Sequence, residues 1–80
     1  MQKARALGEV MVLNFYKRNG VVVTDDAELR RMAETGVAAR MPGLTEADRA
    51  GAVDAAARAG KAQAIALLVE LNYDNKMGAR

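Results

Sequence analysis

The 80 residues include no cysteine, no histidine, no serine and no tryptophan. Without cysteine there are no disulfides and no thiolate ligands, and the composition fits a reducing compartment. Without histidine or serine as well, serine–histidine and cysteine–histidine catalysis are excluded. Zinc and haem sites built on histidine or cysteine are excluded with them. Gly20, Gly36, Gly43, Gly51 and Gly60 are scattered singly, so no glycine-rich phosphate loop exists. No apolar run approaches the roughly 20 residues a membrane span needs. The basic start, Gln2–Arg5, is not followed by a signal-peptide core, because Glu9, Asn14, Lys17 and Arg18 interrupt it. The expectation is a cytoplasmic protein with no membrane partner, no metal and no cofactor.

What the chain does have is aliphatic. Hydrophobic residues make up 51% of it, yet only Phe15, Tyr16 and Tyr73 are aromatic. The core must therefore be assembled from Ala, Val, Leu, Ile and Met. With Pro42 the sole proline and helix formers in the majority, the composition predicts an all-α domain. A net charge of +2 is unremarkable, but its distribution is uneven. Residues 1–24 carry Lys3, Arg5, Lys17 and Arg18 against Glu9 alone. Residues 25–54 carry seven carboxylates against Arg30, Arg31, Arg40 and Arg49.

Patterning predicts a compact domain of four helices over residues 1–76, followed by a frayed polar tail at 77–80. The first helix runs from about Gln2 to Arg18 and stops at Asn19-Gly20. Leu7, Val10, Met11 and Phe15 share one face, while Val12, Leu13 and Tyr16 fall elsewhere, so this helix is apolar nearly all round. "GVVVT", residues 20–24, reads as a short strand or an extended connector. No second strand is available to pair with it, and the connector is expected. A second helix starts at Thr24 or Asp25, where Asp25 and Glu28 resemble a capping box. Leu29, Met32 and Ala33 form its stripe and Gly36 is expected to end it. "MPGL", residues 41–44, is a turn. Thr45 caps a third helix to about Ala59, with Ala50, Val53 and Ala57 inward. Gly60 is expected to break the chain before a fourth helix, Lys61–Leu71, with Ala64, Ile65, Leu68 and Leu71 inward.

Two clusters invite a chemical reading. Asp25, Asp26 and Glu28 could begin a divalent-cation or acid–base site with help from Glu46 or Asp48. The first turn of a helix favours the same carboxylates for capping and for its dipole, and that reading needs no further ligands. No enzyme is expected. "LRRMAETGVAARMPGL" faintly echoes a helix-turn-helix, but Ala33 stands one residue too close to Gly36. Pro42-Gly43 also falls where a recognition helix should run.

Residues 56–74, "AARAGKAQAIALLVELNYD", carry a family pattern: Ala56-Ala57, two residues, Gly60, then Ile65 and Leu67-Leu68, then Asn72 and Asp74. In this the segment resembles an ankyrin repeat. The resemblance covers residues 51–74 and implies an antiparallel helical hairpin that contacts other proteins through its inner helix and turn. Gly51-Ala52-Val53-Asp54 departs from the family's threonine-proline-leucine-histidine start. The upstream echo at Ala33 and Gly36 is offset by 24 residues rather than the ~33 of the family.

The function these features favour is a non-catalytic protein–protein interaction module: a small helical adaptor or inhibitor-type protein, or a domain of a larger one. Val12 and Tyr16, if exposed, and Arg58 and Lys61 at the hairpin turn are the candidate contact residues. Buried core for the first pair and solvated charge for the second are the ordinary alternatives. A different class is a small nucleic-acid-associated regulator, of the kind mobile elements encode, using the basic first helix. A third is a structural domain that forms a homodimer through that helix.

Overall fold

A computed structural model describes residues 2–78, with side-chain surroundings for residues 2–72. It contains three helices: α1 (Gln2–Asn19), α2 (Asp26–Arg40) and α3 (Glu46–Gly78). The all-α expectation holds, and the four-helix expectation is corrected to three. The segment expected to fold into a hairpin about Gly60 lies within one continuous 33-residue helix. At 1.5 Å per residue α3 is about 50 Å long, and it sets the longest dimension of a body measuring 53 × 20 × 19 Å.

The local signals at the helix ends act as their residue types dictate. Gly20 ends α1 with φ of 70°, a left-handed conformation that disfavours a Cβ. Its N–H donates to the Tyr16 carbonyl at 2.7 Å. Asp25 caps α2, its carboxylate accepting the Glu28 N–H at 2.9 Å. Only half of a capping box forms, because the Glu28 side chain turns instead to Arg31. Thr45 caps α3, its hydroxyl accepting from the Asp48 N–H at 3.2 Å. Between α1 and α2, residues 21–25 are an extended connector, and no strand occurs among the described residues. Val23 of that connector is buried, and Val22 packs beside it.

Gly36 does not end α2. The helix continues to Arg40 because Val37 is fully buried and holds the next turn against the core. The stop comes at Met41, whose φ of −133° has left the helical range. Pro42 follows, and a proline disfavours the α conformation in the residue before it. With Gly36 inside a helix, the segment has no helix-turn-helix turn.

Two groups of buried side chains fix the topology. Ala4 and Leu7 of α1 meet Ala33 and Val37 of α2 and Ala52, Val53 and Ala56 of α3. Further along, Val12 meets Val23, Leu29 and Ala64, with Phe15 and Met32 at the edge. Numbers rise together in α1 and α3 and fall in α2, so α1 and α3 run parallel with α2 antiparallel to both. Five of the twelve buried apolar residues among those described are alanines. A core of such small side chains depends on helices lying close together.

The closest approach is at Gly8, Ala56 and Gly60. A Cβ on Gly8 would collide with the Ala56 carbonyl oxygen and stand 3.0 Å from its Cα. A Cβ on Gly60 would stand 3.3 Å from the Gly8 carbonyl oxygen and from Val12 Cγ2. Glycine inside a helix costs about 1 kcal/mol relative to alanine. Here the packing of α1 outweighs that cost, and Gly60 is buried mid-helix instead of breaking the chain. Because the helix is unbroken, its inward face keeps one phase: Ala52, Ala56, Gly60, Ala64 and Leu67 are all buried. Ala50, Ile65 and Leu68, expected inward, are exposed on other faces. The backbone of α3 is helical to Gly78, and residues 79 and 80 of the expected tail lie outside the described residues.

Two glycine substitutions should therefore act in opposite directions. Gly8→Ala forces backbones apart and should lower stability by about 2 kcal/mol, within the range for overpacking. Gly51 is exposed in α3 with open space at its Cβ position, so Gly51→Ala should raise stability by about 0.5–1 kcal/mol. Urea denaturation of the two variants beside the parent protein checks both signs.

Candidate functional site

The four residues selected from sequence do not form one surface. Val12 is fully buried among Val23, Leu29 and Ala64, so it is core and cannot be a contact residue. Tyr16, one turn later, is half-buried. The apolar surplus of α1 is largely absorbed inside the bundle: Ala4, Leu7, Gly8 and Val12 are buried, and Met11, Leu13 and Phe15 are half-buried. Val10 alone among the large aliphatic side chains of α1 stays exposed, at 45%.

Arg58 and Lys61 lie on α3, not at a turn. The Arg58 side chain is open to solvent and pairs with Asp54, one turn earlier, at 3.0 Å. It borders a trough between α1 and α3 where Arg5, Glu9 and Asp54 also stand. Charges of both signs surround that trough, so it favours no ligand charge. Lys61 is a tie rather than a free cation. Its Nζ donates to the Thr24 carbonyl oxygen at 2.7 Å and to Asp26 Oδ1 at 3.0 Å, which fastens the start of α2 to the middle of α3.

The carboxylate cluster is occupied in the same structural way. Asp25 caps α2, Asp26 receives Lys61, and Glu28 receives Arg31 at 2.6 Å. Among the described residues no group of three or more carboxylate, histidine or cysteine side chains could hold a metal ion. Among them also, no helix is long and apolar enough to cross a membrane.

The surface that stands out includes Ile65 and Leu68, which the sequence pattern places inward. On α3, Ile65 is 52% exposed, Leu68 44% and Val69 64%. Spacings of three and four residues put these side chains on one face, with Asn72 continuing it. Their exposure has a structural cause. Ala64 and Leu67 take the inward side of these turns, which puts Ile65, Leu68 and Val69 on the side away from the bundle. The sequence contains the signal that locates this face. Carrying the inward positions Ala52 and Ala56 through Gly60 without a break leads to Ala64, Leu67 and Leu71, which leaves Ile65, Leu68 and Val69 outward.

The two cations should differ in their contribution to stability. Lys61→Met removes a tie between elements and should cost about 0.5–1 kcal/mol, held low by the exposure of Asp26. Arg58→Met removes an exposed pair within one helix and should cost less than about 0.5 kcal/mol. Equilibrium unfolding in urea distinguishes the two values. Compared with protein-family models, with curated proteins and with solved structures, the chain matches none of them.

Proposed function

We infer that this protein is a non-catalytic interaction module that docks another protein chain along the outer face of α3. The observation that supports this reading is the row Ile65, Leu68 and Val69, three large aliphatic side chains within five residues, all substantially exposed. Soluble helices ordinarily place polar residues on such a face. An amphipathic helix laid against it would bury the row by side-chain interdigitation at the i, i+3 and i+4 positions. Covering the three half-exposed side chains is worth about 3 kcal/mol. That alone amounts to weak association, so a stable complex needs contacts further along α3.

Self-association is the second reading, and the same row favours it. A second copy carries the same apolar face, and two-fold symmetric contact of identical patches is the commonest oligomer geometry. The face concerned is that of α3. The first helix, whose apolar surplus points to a homodimer from sequence, buries Ala4, Leu7 and Val12, half-buries Met11, Leu13, Phe15 and Tyr16, and leaves Val10 as its one exposed large aliphatic side chain.

Photo-crosslinking in the native host tests the reading. A photoreactive side chain at Ala66, exposed beside the row, should give a defined adduct, while one at Ala47, at the far end of α3, should not. Ile65→Asp with Val69→Asp should abolish the Ala66 adduct while leaving the helical circular dichroism intact. The adduct's mass identifies a second copy or a different protein. No adduct at Ala66, or the same adducts from both positions, would overturn the proposal.

A further inference from the structure

At the other end of the bundle, a shallow bowl opens between α1 and the last turn of α2. Ala6, Leu7, Val10 and Met41 form an apolar floor, with Lys3 and Arg40 beside it, around a volume of about 270 Å³. No carboxylate lines it. The ion pairs among the described residues are Arg31–Glu28, Arg58–Asp54 and Lys61–Asp26, so neither Lys3 nor Arg40 is paired. The first turn of α1 holds no acidic residue, so the positive end of its backbone dipole adds to the field of Lys3. Arg40 occupies the last turn of α2 and offsets the negative end of that helix.

We propose that this bowl docks an acidic segment of a partner protein, which seats one apolar side chain on Val10 and Met41 and sets carboxylates against Lys3 and Arg40. The chemistry of the occupant follows from the two halves of the site. The floor rewards an apolar group, and the unpaired cations reward negative charge placed next to it. The volume is at the lower end of small-molecule pockets, and the bowl is shallow and open to solvent, which lets a chain segment lie across it. A bilayer fits poorly, because Val10 is the one large aliphatic side chain of α1 that stays exposed and membrane binding scales with the apolar area buried. Single-stranded nucleic acid fits poorly too, since no aromatic ring lies in the floor for a base to stack on. The site is independent of the α3 face and stands or falls separately from it.

Selection of a randomised peptide display library on the whole chain tests the proposal. The wild type should enrich peptides that join Asp or Glu to Leu, Ile or Phe. A synthetic peptide from that pool should bind Lys3→Glu/Arg40→Glu at least about tenfold more weakly, because reversed charges now face its acids. Val10→Asp should weaken it as well. Lys17→Glu/Arg18→Glu, which changes the net charge equally but lies outside the bowl, should leave binding little altered. All the substituted positions are exposed, and thermal melts verify that each variant is folded. The proposal is overturned by failure to enrich any peptide, by enrichment of peptides without acids, or by equal loss in the Lys17/Arg18 variant. Capture of phosphatidylserine vesicles without any acidic peptide would overturn it in favour of a membrane surface.

Discussion

The architecture rests on the backbone contact between α1 and α3 at Gly8, Ala56 and Gly60. Leucine or phenylalanine layers hold helices at a distance set by their side chains. Here five of the twelve buried apolar side chains among the described residues are methyl groups, so burial is achieved only if the helix axes come together. Removing the Cβ at Gly8 permits that approach, and the Ala56 carbonyl occupies the space the Cβ would need. That crossing sets the spacing of α1 and α3 and makes Gly60 a contact within a continuous α3, while the two groups of buried side chains place α2 beside them.

Capping chemistry was legible in the sequence because it is local. Asp25, Thr45 and Gly20 act within one turn of themselves, and each does in the fold what its side chain, or lack of one, favours. The connector at Val21–Val23 was legible for the same reason. Gly60 was not legible, because its outcome is decided by a residue 52 positions away, Gly8. Read by propensity it is a breaker; in the packed chain it is a contact surface. The small alanines of α3 do pack closely against a helix. What they could not disclose was the partner, which is α1 and not the segment immediately following.

The continuity of α3 through Gly60 also decides what the surface presents. A break at Gly60 allows the following helix to choose its own phase, and Ile65 and Leu68 then belong inside with Ala64. Without the break the phase is inherited, Leu67 takes the buried position, and Ile65, Leu68 and Val69 face solvent. The candidate contact residues shifted accordingly: Val12 became core and Lys61 became the fastening between α2 and α3, while Arg58 stayed open to solvent. The two ends of the molecule then differ in chemistry. One presents an uncharged aliphatic row, the other an apolar floor flanked by unpaired cations.

The continuity of α3 underlies all of these assignments, and it can be measured as a distance. The chain has no native cysteine, so Ala50→Cys with Glu70→Cys gives clean spin labelling at two exposed positions of α3. A single helix places their backbones about 30 Å apart at 1.5 Å per residue. A hairpin turning at Gly60 would set them side by side on adjacent helices, about 10 Å apart. Double electron–electron resonance should return one population near the longer distance; a dominant short distance would contradict the account.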